Sequence, residues 1–192
     1  KELKRIAELN SVKIYHDKKN IIDKIWDRKI KKSQKHCFFL EKKISGEDTL
    51  SKKERIFNKI NYDFLILTSS ESICWLMNLR GFDLEHTPIV FCRAIITKTI
   101  IKLFADLKKF PNKAKVKGVQ MLCYREFESE ILKLPKNKKL ALDSSSSYFY
   151  YELTKSAGLK PDLIEDPCIN IRCKKNEVEI KHSIKYHILD GV

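Results

Sequence analysis

Arg80, Asp83 and His86 lie within seven residues of one another, just after an apolar run and around Gly81. A guanidinium, a carboxylate and an imidazole thus leave a helix on one loop. Such a set can hold a polar substrate through charge-assisted hydrogen bonds. The competing reading is a local Arg80–Asp83 ion pair that fixes the turn, with His86 a satisfied loop histidine. Other chemistry is thinner. His16, His36, His86, His182 and His187 are dispersed, and no His-Glu-x-x-His occurs. His187 and Asp190 fall at i, i+3, a spacing that makes a surface contact on a helix. None of Cys37, Cys74, Cys92, Cys123, Cys168 and Cys173 forms a Cys-x-x-Cys pair. Cys74, Cys92 and Cys123 sit inside apolar runs, where a reduced thiol acts as a small hydrophobe. Ser144–Ser147 has no nucleophile elbow around it and reads as the start of a helix. No catalytic residue and no metal ligand is assigned to this chain.

The elements that would position these residues follow from apolar spacing. Leu3, Ile6 and Leu9 mark one helix, and Ile21, Ile22, Ile25 and Trp26 a second, with Trp26 as an anchor. Asp27 to Lys43 reads as a basic connector. Ser51 and Glu54 suggest a capping box for a helix carrying Ile56, Phe57 and Ile60. Phe64–Thr68 is a buried-type strand. Ser69-Ser70 caps a helix through Ile73, Trp75 and Leu76 that Gly81 stops, with Asn78 near its end. Ile89–Thr97 and Ile100–Ala105 predict a hairpin through Lys98-Thr99, although no Gly or Asn forms the turn. A helix over 108–117, interrupted by Pro111, precedes a strand at 119–124. A helix at 126–134, a strand at 140–143, a helix at 145–157 ended by Gly158, a short strand at 163–164 and a helix at 176–189 complete the chain. The aromatic run Phe149-Tyr150-Tyr151 is expected to pack. Alternating β and α over 45–167 indicates a mixed sheet covered by helices.

With 192 residues and 43% hydrophobic content, the chain can bury a core. Its net charge of +14 is uneven. Residues 1–60 carry 18 basic against 9 acidic side chains, and residues 61–105 carry 4 of each. The excess is 32 Lys to 7 Arg. Base readout and bidentate phosphate contacts favour Arg. The lysine pairs at 18–19, 31–32, 42–43 and 52–53 therefore read as solvated surface, and nucleic acid is disfavoured as a partner. No run approaches the ~20 apolar residues of a membrane helix, and no signal peptide is evident. The expectation is a cytoplasmic protein with no membrane partner. A start at Lys1 without Met suggests an excised or processed piece.

The stretch Trp75-Leu-Met-Asn-Leu-Arg-Gly-Phe-Asp83, with Glu85, His86, Pro88 and Phe91, resembles the second domain of three-domain Xaa-Pro aminopeptidases. These belong to the creatinase/prolidase-like peptidase group. Asn20-Ile-Ile-Asp-Lys-Ile-Trp26 resembles the exit from the family's first domain, and Ser45-Gly46 with Lys53 and Ile56 resembles a following helix. Lys175-Asn176-Glu177-x-Glu179 and His187-Ile-Leu-Asp190-Gly191 resemble the approach to its catalytic domain. The resemblance implies an α/β fold with the mixed sheet of a creatinase/prolidase N-terminal domain, a ribonuclease H-like motif, with helices on both faces. It divides the chain into 1–44 (end of a first domain and connector), 45–173 (the second domain) and 174–192 (first helix of a catalytic pita-bread domain). In the family, two divalent cations, typically manganese, activate water to remove the residue before a second-position proline. Their two Asp, one His and two Glu ligands lie on the catalytic domain, so no cofactor is expected in this chain. Arg80, Asp83 and His86 become candidates to face the substrate cleft, and the implied role is to shape that cleft and support assembly. Implied partners are the protein's own catalytic domain, a peptide with proline second and a second copy in a homodimer. The alternatives are a stand-alone peptide- or protein-binding module from a split or truncated gene, and a basic nucleic-acid-binding protein.

Overall fold

The computed structural model describes residues 2–15, 21–26, 33–111 and 116–192. It divides into two compact units, Lys1–Lys32 and Ser33–Val192. The first unit holds α1 (Glu2–Leu9) and a single 3-10 turn at Ile22–Lys24. The expected helix over 21–26 is thus reduced to one turn, and Ile21, Ile25 and Trp26 are exposed. Most of the basic connector before Ser33 lies outside the described residues.

The second unit contains β1 (Phe38–Phe39), α2 (Lys42–Ser45), α3 (Thr49–Phe57), β2 (Phe64–Leu67), α4 (Ser70–Leu76), β3 (Leu79–Arg80), β4 (Cys92–Ile96) and β5 (Ile101–Ala105). It continues with β6 (Val119–Cys123), α5 (Phe127–Leu132), β7 (Leu140–Asp143), α6 (Tyr148–Ser156), β8 (Pro161–Ile164), α7 (Pro167–Cys173) and α8 (Glu177–Asp190). Six strands form one sheet in the order β6-β5-β4-β2-β7-β8, and β1 pairs with β3 in a small separate ribbon. β2 runs antiparallel to β4 and parallel to β7, so the sheet is mixed as expected.

Strand periodicity sorts the core into two layers. Leu65, Leu67, Ala94, Ile96, Ile101 and Leu103 point to one face, under α3, α4 and α7. Ile66, Ile95, Phe104, Leu140 and Leu142 point to the other, where α5 and α6 lie. Helices therefore cover both faces, and each fully buried Leu, Ile or Phe contributes roughly 1.5–3 kcal/mol. Phe127 packs edge-on against Phe104 and Tyr150, at 5.0 and 5.3 Å between ring centres. The central tyrosine of the aromatic run is thus core, as expected. The β4–β5 hairpin closes without Gly or Asn because the Thr97 hydroxyl accepts from the Thr99 and Ile100 N–H groups. That side-chain turn supplies the bonds a glycine-based turn would make through its backbone.

Several local expectations change. The cap of α3 is Asp48, which accepts from the Ser51 N–H, so the helix begins earlier than a Ser51 cap would place it. The helix expected over 108–117 is a 3-10 turn at Leu107–Lys109, and residues 112–115 are not described. α7 was not anticipated, because its apolar residues are few and its start hides behind Pro167, which fits the first helical position. β1 and the Cys37 N–H, which donates to the Lys109 carbonyl, tie residues 37–40 to the sheet-bearing unit. The compact unit that holds the sheet runs from Ser33 to Val192. Lys52 and Lys53, read as solvated, are buried.

Gly81 does not stop α4. The helix ends at Leu76 with Met77 as its cap, and the left-handed residue that turns the chain is Asn78, at φ 52°. Gly81 serves close approach instead: a Cβ there would lie 2.4 Å from the Val90 Cγ2 and 3.2 Å from the Ile89 carbonyl oxygen. Gly81→Ala is therefore expected to destabilise the chain by about 1–3 kcal/mol, as overpacked sites do. Urea unfolding measures this, and an unchanged midpoint would show that Val90 moves aside freely.

Candidate functional site

β3 carries Arg80 and the loop from β3 to β4 carries Asp83 and His86, and the structure sends the three side chains in different directions. Asp83 turns inward. Its carboxylate accepts from the Phe91 N–H at 2.8 Å and pairs with the Lys109 ammonium. The side chains of this pair are only 3% and 8% exposed. Arg80 is half-buried and does not pair with Asp83. Its Nη1 donates to the Leu79 carbonyl at 2.9 Å and the Cys74 carbonyl at 3.3 Å. His86 projects into solvent at φ 59°, with Nε2 3.7 Å from the Glu85 carboxylate. The local Arg80–Asp83 ion pair is therefore replaced by a long-range Asp83–Lys109 pair. Lys109 had no sequence signal beyond its place beside Phe110, because its partner is 26 residues away.

Around this loop lies an apolar rim. Phe38, Phe82, Leu84 and Phe91 are all about half exposed, and Phe38 and Phe82 approach each other at 6.2 Å. Behind it, α4 and β4 place Cys74 and Cys92 in the core. The Cys74 Sγ accepts from the Val90 N–H at 3.3 Å. Burial pushes the Cys37 thiol up to about 11, and Cys92, sharing a hydrogen bond with Cys74, is raised as well. Cys74, whose thiol the shared hydrogen bond lowers, and Cys92 are both buried within the apolar core, whereas Cys123 is only partly buried.

Below the loop, Lys52 of α3 donates from Nζ to the Trp75 carbonyl and the Asn78 Oδ1, and its ammonium sits 4.6 Å from the centre of the Trp75 ring. Desolvation lowers its pKa to about 8. Glu179 and Glu47 oppose that shift, while Arg80 and Arg55 add to it.

Among the described residues, no three His, Cys, Asp or Glu side chains gather where they could hold a metal ion. The acids nearest to candidacy are already engaged. Asp83 holds Lys109, Asp143 accepts from the Ser145 N–H and hydroxyl, and Asp166 caps α7. This donor set does not fit a pair of divalent cations. No helix among the described residues is long and apolar enough to cross a membrane.

By architecture the second unit is a mixed-sheet α/β domain sandwiched between helices. Residues 27–179 match the Creatinase/Prolidase N-terminal domain, and the chain belongs to that family. Among curated relatives, the probable Xaa-Pro aminopeptidase P of Pyricularia oryzae is 30% identical over 90% of this chain and 31% of its own length. Xaa-Pro aminopeptidase 1 of Dictyostelium discoideum is 27% identical over 94% of this chain and 31% of its own. The chain thus spans about a third of the length of these relatives. The solved X-prolyl aminopeptidase of Caenorhabditis elegans, described as a cytosolic enzyme with a di-nuclear active site, shares the fold. It superposes with a TM-score of 0.78 at 18% identity, over 92% of this chain and 31% of that one.

Two outcomes follow from the site's geometry. Asp83→Ala strands the buried Lys109 ammonium and is expected to cost about 3–5 kcal/mol, whereas Asp83→Leu combined with Lys109→Met recovers most of the loss. Denaturant unfolding of the two variants checks this, and equal losses would place the cost in the Phe91 hydrogen bond instead. Lys52 makes stability depend on pH. Between about 8 and 10.5 the unfolded chain holds a proton that the folded chain has released. The contribution of Lys52 therefore improves as pH rises through that window and is lost as pH falls to about 8, by at most about 1.4 kcal/mol per unit crossed. The stability difference between the parent and Lys52→Met should shift in the parent's favour from pH 8 to 10.5, and a flat difference would contradict it.

Proposed function

We propose that this chain is the non-catalytic N-terminal portion of a metal-dependent Xaa-Pro aminopeptidase. The observation that carries the reading is the family match over residues 27–179, in relatives about three times as long. In this reading residues 174–192 lead into the catalytic domain, whose two divalent cations, manganese in the expectation above, perform the hydrolysis. α8 supports it: Ile180, Ile184 and Ile188 recur at helical spacing and are about half exposed or more, a stripe suited to packing against a further domain. The β3–β4 loop is the part of this domain that faces the substrate cleft. Arg80 and His86 supply polar contacts to a peptide with proline second, Phe82 and Phe91 give the cleft an apolar rim, and Asp83 braces the loop from inside. The domain restricts access to short peptides and supports assembly, including a homodimer, in the cytoplasm.

The test compares the full-length protein with the 192-residue chain on an Xaa-Pro peptide in manganese. The full-length protein should release the N-terminal residue and lose activity to a chelator, while the chain alone turns over nothing. In the full-length protein, Arg80→Ala should raise KM about fivefold or more with a smaller change in kcat. Chelator-sensitive hydrolysis by the chain alone would sink the proposal, and an unchanged KM would remove Arg80 from the cleft.

A further inference from the structure

Arg80 also borders a second feature. A shallow cavity of about 240 Å³ opens along α4, beside the approach to β4 and the end of α7, lined by Glu71, Trp75, Arg80, Ile89, Arg172 and Lys175 among others. Its charge is unbalanced. Three cations, Arg80 of β3, Arg172 of α7 and Lys175 just after α7, line it with one carboxylate, and Glu71 is already engaged, its Oε2 lying 3.3 Å from the Arg172 Nη2. Like charges brought together in a concave site repel one another unless an anion joins them. Arg80 is the fixed member. Both of its bonds, to the Leu79 and Cys74 carbonyls, leave from Nη1, so Nε and Nη2 are the donors left for a ligand among the described residues. Lys175 is steadied by donating to the Arg172 carbonyl at 3.0 Å. Behind the cavity, the Lys52 ammonium lies over the Trp75 ring and adds positive potential through the indole. Trp75 and Ile89 supply an apolar wall, which admits an anion bearing a small apolar substituent.

We propose that this cavity binds a small oxyanion, a phosphate or a carboxylate, held by Arg80, Arg172 and Lys175 against the Trp75 wall. A planar guanidinium with two free donors matches either ligand in bidentate fashion, and Arg172 and Lys175 close the other side. The inference is independent of peptidase activity, since it needs only residues of this chain.

The test is a titration of the 192-residue chain followed by the tryptophan indole N–H resonances. Only Trp26 and Trp75 give such signals, and Trp26→Phe assigns them. Inorganic phosphate is one arm and N-acetylglycine the other, both at constant ionic strength with chloride as the balancing ion. A saturable shift of the Trp75 signal at millimolar ligand is expected, with Trp26 unmoved. Saturation by phosphate alone identifies a phosphate site, and saturation by N-acetylglycine alone a carboxylate site. The Arg172→Met/Lys175→Met double variant should weaken binding at least tenfold. Both side chains lie at the surface end of the cavity, so this variant keeps the fold even where Arg80→Met disturbs the turn. Lys133→Met/Lys155→Met removes the same charge from the helices on the opposite face and should leave affinity unchanged. The proposal is overturned if neither ligand saturates the Trp75 signal, or if the two double variants bind alike.

Discussion

The turn at Asn78 is held from four directions, and the placement of the β3–β4 loop depends on it. Its N–H donates to the Trp75 carbonyl and its carbonyl accepts from the Leu40 N–H, which anchors the β1 ribbon. Its side-chain Nδ2 donates to the Glu47 carbonyl at 2.8 Å, and its Oδ1 accepts from the Lys52 ammonium. A left-handed residue with a short amide side chain is the type that can turn a helix end and still make all four bonds. The partner ammonium loses most of its water, and three things offset that cost: two acceptor oxygens, the face of Trp75, and the negative end of α4 whose last carbonyls it meets. Because β3 begins one residue later, this junction sets where Arg80 leaves the chain, while Asp83 is drawn inward by the Phe91 N–H and Lys109.

Two further ties make the junction a rigid part of the unit. Gly46, at φ 74°, packs so closely on Asn176 that a Cβ would fall 2.3 Å from its Oδ1. Asn176 in turn caps α8 in a reciprocal box with Glu179 and donates to the Ser45 carbonyl. The loop before α3 and the first turn of α8 are therefore one hydrogen-bonded assembly. On the other face of the sheet, the Arg93 guanidinium of β4 rests 4.4 Å from the Tyr124 ring and 4.8 Å from the Tyr150 ring. That stacking fixes the aromatic layer beneath α5 and α6. The two faces are thus secured by different chemistry, a buried polar network on one and cation–aromatic packing on the other.

These arrangements explain which features the sequence disclosed. β2 was legible as an uncharged apolar run, and β4, β5 and β7 because each is apolar apart from a single charged residue, a pattern with few alternatives to a covered strand. α6 and α8 showed their spacing and their polar starts. β1 was not legible, since two residues carry no period, and its pairing with β3 lies some forty positions away. The capping role of Asp48 was masked by the Ser51 and Glu54 pair, which imitates a capping box. For the candidate site, the position of the loop on β3 could be read, but not the direction of its side chains. Asp83 chooses Lys109 over the nearer Arg80 because the fold brings the 3-10 turn at 107–109 beneath the loop, a relation that no local pattern records.

Lysine makes the same point about composition. Among the described residues most lysines lie in solvent, and that majority is what a compositional argument sees. Lys52, Lys53 and Lys109 are nevertheless among the buried residues, and two of them hold the elements that present the candidate loop. Lys52 and Lys109 enter the core where acceptors wait for their ammonium groups, and those acceptors are a helix end, an amide side chain and a carboxylate. The family match covers all three positions. Within the loop the outcome is a division of labour. The carboxylate is committed to structure and the imidazole to solvent. Only the guanidinium of Arg80 stands at the boundary with donors to spare.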